Sequence, residues 1–266
     1  MYTLIIGNRT YSSWSLRGWL ACKASGLEFE TVVLPMDTPE WDAGSSKGEL
    51  PSSKVPTLWH TDATGQRMAI WDSLAIIDWL ADKVRTARIS RGHYWPQDWA
   101  ARALARSISA EMHAGFTALR QGCPMNLKFN FPDFAPSPEV LADVARIDAL
   151  WNEARAKFHS IDEAHEGPFL FGTFSAADMM FAPVVTRIAT YNLPVSEVSA
   201  AYVAEVLAHP WMQEWTAAAK AETFPFARYL VPGGVPALFK GPPAGRGLPL
   251  HPFVWRSSIG CRPQAC

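Results

Sequence analysis

The sequence lacks the long apolar runs and the charge imbalance that mark several classes of protein. No apolar stretch approaches the length of about 18 residues that a transmembrane helix needs. The first residues, MYTLIIGNRTY, hold a short apolar run with no basic segment before it, which does not predict a signal peptide. A formal net charge of −1 gives no electrostatic reason to expect binding to nucleic acid or to an acidic membrane. We therefore expect a cytoplasmic protein with neither kind of partner.

Cysteine is also scarce. Its four positions show no C-x-x-C motif and no metal-ligand spacing, so reduced thiols and no metal site are expected: Cys22, Cys123, Cys261 and Cys266. No glycine-rich phosphate-binding loop is present either. The chain has an ordinary globular composition, 48% hydrophobic and 18% charged residues, and its 266 residues suffice for one large domain or two small ones.

The first third of the chain predicts an α/β unit. Tyr2–Ile6 is a strand candidate, a helix follows that ends near Gly26, and Glu28–Leu34 alternates like a second strand. A strand–helix–strand unit of this size implies a parallel pair with a right-handed crossover. Residues 35–53 predict a loop with one short helix.

The stretch Lys54–Asp82 predicts a hairpin followed by a helix. Thr57–His60 and Arg67–Trp71 are strand candidates around a turn, and Asp72-Ser73 supplies the acceptors that begin a helix. Backbone N–H groups and a carboxylate then meet at one edge, which suits the two charged ends of an amino-acid-like ligand. The order β-α-β-(α)-β-β-α predicts a thioredoxin-like domain over 1–83.

The remainder predicts a linker at 84–95, an all-helical domain at 96–230 and a tail at 231–266. Gln97–Gln121 predicts one long amphipathic helix, and Ser137-Pro138-Glu139 begins another. Ser175 and Asp178 fit a capping box, and Pro183 lies inside the same helix. The tail has seven prolines and six glycines and no acidic residue, so we expect it to be disordered or loosely docked.

Three segments carry a resemblance to one family. Val55-Pro56 before the hairpin, with Asp72-Ser73 after it, resembles the glutathione-binding half of the cytosolic glutathione transferases. SSWSLR, at residues 12–17, is similar to the S-S-C-S-W-R signature of the zeta class, and FGTFSAADMMFAPVV resembles the family's G-x-x-x-S-x-A-D helix start. The resemblance implies a thioredoxin-like domain followed by the all-helical C-terminal domain of a glutathione transferase.

The same resemblance implies the site. The positions that would bind glutathione are Lys54, Val55, Pro56, Asp72 and Ser73, with the bond to the proline cis. Ser12 takes the place of the thiol-activating residue, Ser13 is its neighbour, and Tyr11 is an alternative because other classes use a tyrosine from this loop. Arg17 falls on or beside the family's arginine in the first helix.

An apolar pocket for the second substrate is expected against the long helix. Its predicted residues are Tyr11, Trp14, Met112, His113 and Phe116, with Asn126 as a further candidate. Trp14 replaces the cysteine that the family associates with isomerase and dehalogenase behaviour, which weakens the analogy to maleylacetoacetate isomerase.

The function implied is conjugation of glutathione, as co-substrate, to a small hydrophobic electrophile by a homodimer. A glutathione-dependent isomerase and a non-catalytic glutathione-binding or stress-response protein are the alternatives. Each serine of the first loop could also be a plain helix cap without catalytic work.

Overall fold

A mixed four-stranded sheet flanked by helices forms the first part of the chain. The structure, a computed structural model, describes residues 1–87, 94–158, 166–223 and 233–236. The elements of this first part are β1 (Tyr2–Ile6), α1 (Ser13–Ser25), β2 (Glu30–Val33), α2 (Pro39–Ser46), β3 (Thr57–Thr61), β4 (Arg67–Trp71) and α3 (Ser73–Thr86). The strand order is β2-β1-β3-β4, with β1 and β2 parallel and the other pairs antiparallel. This confirms the predicted thioredoxin-like order.

Alternation of apolar side chains decides which face of the sheet is covered. Leu4 of β1 lies opposite Leu58 of β3, which lies opposite Ile70 of β4, and all three are buried. Because successive strand residues point to opposite faces, this row lies on the face of the sheet that helices α1 and α3 cover. Leu16 and Leu20 of α1 and Ile77 of α3 are likewise buried in that core.

Helices make up nearly all of the second part of the chain. They are α4 (Trp99–Ala114), α5 (Thr117–Gly122), α6 (Pro138–Phe158), α7 (Ala176–Tyr191), α8 (Glu197–Ala208) and α9 (Pro210–Ala221), accompanied by β5 (Phe129–Asn130) and β6 (Val235–Pro236). Helix α7 is buried over almost its whole length and packs against both α1 and α4. The predicted helical C-terminal region is confirmed, with one short strand pair added, and α7 lies at its centre.

The capping box at the start of α7 is present. The Asp178 carboxylate accepts hydrogen bonds from the backbone N–H and the hydroxyl of Ser175, both at 2.8 Å. It also accepts from the Leu170 N–H and the Tyr202 hydroxyl. Burial raises the pKa of Asp178, and the four donors oppose that rise. The motif organises the fold of the helical part, as its sequence predicted.

The predicted linker begins later than its composition indicated. Helix α3 continues to Thr86, because Val84 follows Ile77 and Leu80 at helical spacing and is buried with them. Tyr94 and Trp95, at the other end of the predicted linker, are buried too. Residues 88–93 lie outside the described part of the chain.

The long helix predicted at Gln97–Gln121 is wrong as one element. It is divided into α4 and α5, because Gly115 is extended and Phe116 adopts a left-handed conformation with φ of 55°. Periodicity alone did not show the break, since both halves keep an apolar face.

The predicted tail lies outside the described residues except at 233–236. There β6 pairs antiparallel with β5, so this short piece is docked as a strand. Gly234 allows the approach, because a Cβ at this position would lie 2.6 Å from Cε1 of Phe131.

Candidate functional site

A cleft of about 710 Å³ lies between the sheet domain and the helices. It is lined by Tyr11, Ser12, Ser13, Trp14, Met36, Trp41, Ser52, Ser53, Lys54, Val55, Pro56, Trp71, Asp72, Ser73, His113, Thr117, Arg120, Gln121, Pro124, Met125 and Arg187. Ten of the fourteen residues named as candidates for the site are among them. Met112 and Phe116 are not, since both side chains are buried in the core.

Ser12 caps helix α1 at the wall of the cleft. Its Oγ accepts the Ser15 N–H at 3.3 Å and donates to Ser15 Oγ at 2.7 Å, and Ser15 Oγ also accepts the Gly7 N–H at 3.0 Å. A hydroxyl donates one hydrogen and rotates to suit its partners. An anion in the cleft, at the positive end of α1, can take the Ser12 hydrogen, and the Ser15 hydroxyl can then rotate and donate to Ser12 instead.

Ser13 and Tyr11 border the same position. Ser13 is the first residue of α1, is half-buried, and donates its N–H to the Tyr11 carbonyl at 3.1 Å. Tyr11 is 8% exposed. Burial raises the pKa of its phenol, and the carboxylate of Glu222 raises it further.

The segment before β3 brings backbone groups to the cleft. The Val55–Pro56 bond is cis, as the resemblance implied. Gly18 of α1 lies directly against this proline, because a Cβ on it would meet Pro56 Cγ at 2.7 Å. Lys54 is exposed at the rim, and Ser53 has a left-handed φ of 55°. The close contact of α1 with Pro56 places the two predicted halves of the site beside one another.

Asp72 and Ser73 form the opposite edge. Asp72 has a φ of 75°, its Oδ1 accepts the Leu74 N–H at 2.8 Å, and its Oδ2 lies 3.4 Å from His113 Nε2. A non-glycine residue in this conformation is uncommon and is concentrated at functional sites. Ser73 is 1% exposed, yet its hydroxyl has no hydrogen-bond partner among the described residues. A buried hydroxyl beside a helix N-terminus and without a partner points to a polar ligand.

The helical side of the cleft is cationic. Arg120 and Arg187 line it, and the guanidinium of the buried Arg17 lies behind Trp14. The guanidinium carbons of Arg17 and Arg120 lie 4.3 and 5.0 Å from the Trp14 ring centroid. Burial lowers the pKa of Arg17. The positive charges of Arg187 and Arg120 lower it further, whereas the negative charge of Asp72 raises it. The pocket that was predicted to be apolar therefore contains strong positive charge.

The loop that precedes Ser12 is anchored from the far end of the helical part. The Glu222 carboxylate, 8% exposed, accepts the backbone N–H of Arg9 at 2.9 Å and of Thr10 at 3.2 Å. Trp215 Nε1 donates to the Arg9 carbonyl at 3.1 Å. The Asn126 side chain instead accepts the N–H groups of Lys128 and Phe129 and does not line the cleft.

Three residues of the site were missed by sequence reasoning: Arg120, Arg187 and Glu222. No local signal exists for them, because tertiary packing alone brings the two arginines to the cleft and Glu222 to the loop before Ser12.

The described ranges contain neither a candidate metal site nor a helix that could span a membrane. No group of three or more His, Cys, Asp or Glu side chains there could hold a metal ion. The helices within those ranges are all too short or too polar to cross a membrane. Burial raises the pKa of the Cys123 thiol to about 11, so this cysteine is a poor nucleophile.

Comparison with known proteins identifies the family of the N-terminal domain. Residues 11–83 match the family model described as glutathione S-transferase, N-terminal domain. The chain therefore carries the N-terminal domain of the glutathione S-transferase family. This confirms the family predicted from the sequence, while the zeta class stays a prediction. The curated proteins gave no match to the chain.

Solved structures extend the likeness to the helical part. A glutathione transferase homologue from Burkholderia, solved with bound glutathione, is 21% identical with a TM-score of 0.58, covering 83% of this chain and 99% of its own. The human glutathione S-transferase T1-1 is 21% identical with a TM-score of 0.54, covering 83% and 90%. The yeast prion protein Ure2p, in complex with glutathione, is 16% identical with a TM-score of 0.61, covering 82% and 94%. At these identities the likeness shows a shared glutathione S-transferase fold.

Proposed function

We propose that this protein is a glutathione transferase, in which Ser12 stabilises the thiolate of glutathione for attack on a small electrophile. The observation that carries the proposal is one cleft with two helix N-termini. One presents the Ser12 hydroxyl, and the other presents the Ser73 hydroxyl, for which the described residues supply no partner. The first suits a thiolate, and the second suits the carboxylate of the γ-glutamyl group.

The charges of the site fit this assignment. Asp72 would hold the γ-glutamyl ammonium, and Lys54 would lie near the glycyl carboxylate, as the resemblance implies. The backbone of Val55, next to the cis proline, would bind the cysteinyl part. The bound tripeptide would then direct its thiol toward α1, where the helix dipole and the arginines around Trp14 favour the anion.

The energy needed is within reach of these groups. A cysteine thiol has an unperturbed pKa of about 8.5, and lowering it by two units takes about 2.7 kcal/mol. A charge-assisted hydrogen bond contributes about 1.5–3 kcal/mol, and a helix N-terminus about 0.3–1 kcal/mol. In the reaction the sulfur forms a bond to the electrophilic carbon, and the leaving group departs with its electron pair.

The test is a pH titration of the thiolate absorbance of glutathione bound to the purified protein. We expect an apparent pKa one to two units below 8.5 that returns toward 8.5 in Ser12→Ala, since one hydrogen bond to the anion is lost. Ser73→Ala is the matched control: it should weaken glutathione binding by about tenfold and leave the pKa of the bound thiol unchanged.

Other results would reassign the role. An unchanged pKa in Ser12→Ala, with a rise in Ser13→Ala or Tyr11→Phe, would transfer thiol activation to that residue. Tight glutathione binding with an unperturbed thiol would refute the transferase proposal and favour the glutathione-binding alternative.

Three further points of the proposal have tests of their own. The isomerase alternative is tested by turnover of maleylacetone. Trp14, in place of the family's cysteine, argues against this alternative. The homodimer is tested by sedimentation equilibrium, and a cytoplasmic location by fractionation of cells that express the chain.

A further inference from the structure

The acceptor half of the cleft has more positive charge than a purely hydrophobic electrophile would require. Arg120 and Arg187 both line it, on helices α5 and α7. Among the described residues that line the cleft, Asp72 is the one carboxylate, and it lies on the side assigned to glutathione. The two halves of the cleft therefore differ in what they can bind.

These arginines are held in place by backbone carbonyls. Arg187, 4% exposed, donates through Nε to the Cys123 carbonyl at 2.8 Å and through Nη1 to the Pro183 carbonyl at 3.1 Å. Arg120 donates through Nη1 to the Gly115 carbonyl at 3.2 Å. Carbonyl partners orient a guanidinium without neutralising its charge.

Arg17 adds a buried charge behind them. It is 1% exposed, and its Nη1 has no hydrogen-bond partner among the described residues. Its Nε donates to the Met180 carbonyl at 2.8 Å. Retaining a buried cation is unfavourable unless a negative charge lies nearby. A bound anion in front of Trp14 would supply one.

We propose that the electrophile carries a carboxylate, which Arg120 and Arg187 bind while the apolar part of the molecule packs on Trp14. This rests on the proposed function, because it assigns the second substrate of the same cleft. It also refines the prediction of a hydrophobic electrophile: the apolar surface of Trp14, Pro124 and Met125 holds the body, and the arginines select the acid. A carboxylate fits because its two oxygens match the parallel N–H donors of a guanidinium.

The first experiment measures binding without turnover. The protein is saturated with S-methylglutathione, which has no free thiol, and titrated by calorimetry with 3,5-dinitrobenzoate or with its neutral methyl ester. We expect the acid to bind at least tenfold tighter than the ester. Raising the salt concentration should weaken binding of the acid and leave binding of the ester unchanged, because only the acid depends on charge pairing.

Variants locate the preference. Arg120→Gln should reduce the ratio of acid to ester affinity to near one, and Arg120→Lys should keep part of it, because the charge remains. Arg146→Gln is the matched control, since Arg146 pairs with Glu111 and does not line the cleft. Arg187→Lys tests the second arginine with a milder change, and thermal unfolding checks that each variant is folded.

Three results would overturn the proposal. These are equal affinity for acid and ester, a preference that survives in both Arg120→Gln and Arg187→Lys, and a loss of S-methylglutathione binding in Arg120→Gln. The last would show that the arginines bind the tripeptide instead.

A separate assay distinguishes failure of this proposal from failure of the transferase proposal. Glutathione is offered 4-chloro-3,5-dinitrobenzoate or its methyl ester. In each case a C–S bond forms, the C–Cl bond breaks, and chloride leaves with the electron pair. If both compounds are turned over and the rate enhancement over the uncatalysed reaction is the same for acid and ester, the carboxylate site is refuted and the transferase proposal stands. Arginine-dependent binding of the acid without turnover of either refutes the transferase and keeps the anion site.

Discussion

At the scale of single residues, the hydroxyl of Ser15 decides where the Ser12 hydrogen can point. Ser15 Oγ accepts the Gly7 N–H and the Ser12 hydroxyl, 2.7 Å away. When an anion takes the Ser12 hydrogen, the Ser15 hydroxyl can rotate and donate to Ser12 Oγ. A chain of donors that runs from a backbone amide through two hydroxyls polarises each member. Ser12 is then a better donor to an anion than an isolated serine would be.

Removing Ser15 should therefore weaken thiol activation without removing Ser12. In Ser15→Ala we expect the pKa of bound glutathione to rise by about half a unit to one unit, less than in Ser12→Ala, because one donor of the chain is lost. Titration of the thiolate absorbance measures this rise. Ser15→Thr keeps a hydroxyl and is the control; a thiol pKa identical in the wild type and Ser15→Ala would contradict the donor chain.

At the scale of elements, the end of α9 holds the loop between β1 and α1. The Glu222 carboxylate accepts two consecutive backbone N–H groups of that loop, those of Arg9 and Thr10, and Thr10 Oγ1 also donates to the Ala219 carbonyl at 3.1 Å. Two side-chain oxygens thus fix the backbone two residues before Ser12. The position of the proposed catalytic hydroxyl depends on a helix of the other domain.

Glu222→Ala should therefore disturb both stability and the site. Unsatisfied N–H groups should lower the free energy of unfolding by about 1–3 kcal/mol, and the loosened loop should raise the pKa of bound glutathione. Chemical denaturation and thiolate titration measure the two effects. The matched control is Glu214→Ala, because the Glu214 carboxylate is half exposed and pairs with Lys23, and such pairs contribute about 0–1 kcal/mol. Equal effects of the two substitutions would refute the anchor.

The elements also show how much of the structure could be predicted from the sequence. The strands, the start of α3 at Asp72-Ser73 and the capping box at Ser175 were predictable, because each depends on neighbours within a few residues. The left-handed Phe116 and the anchor at Glu222 were not, since each is set by contacts from distant segments. Resemblance supplied the cis bond at Pro56, which composition alone would not predict.

At the scale of the whole molecule, the two domains share a buried interface through α1 and α7. The Arg17 Nε bond to the Met180 carbonyl crosses it, and the Tyr94 hydroxyl donates to the Ala21 carbonyl from the start of the helical part. Trp19 of α1 also packs on Trp215 of α9, with ring centroids 5.3 Å apart. Polar groups that are satisfied only across the interface favour unfolding of both domains together.

Global stability should also respond to His209, at the junction of α8 and α9. Burial lowers its pKa to about 4, and it stacks on Phe174 with ring centroids 4.2 Å apart. Because an unfolded histidine titrates near 6.5, the unfolded state takes up a proton that the folded state does not. The contribution of His209 is complete above about pH 6.5 and is lost as the pH falls toward about 4.

His209→Asn isolates this effect. Asparagine can keep an acceptor for the Trp211 N–H, which His209 Nδ1 accepts at 3.3 Å, and it does not titrate. We expect the unfolding temperature of the variant to depend less on pH than that of the wild type between pH 6.5 and 4. Differential scanning calorimetry at several pH values measures this, and parallel curves would show that His209 is not the group responsible.

The anchor at Glu222 has a consequence for the order in which the protein is made. About 210 residues separate Ser12 from Glu222, so the ribosome needs roughly 10–40 s between them at about 5–20 residues per second. The sheet domain can form its core early in that interval, but the loop before Ser12 receives its two backbone partners only at the end. A nascent chain that is released before Glu222 would therefore hold a sheet domain whose proposed thiol-activating loop is unanchored.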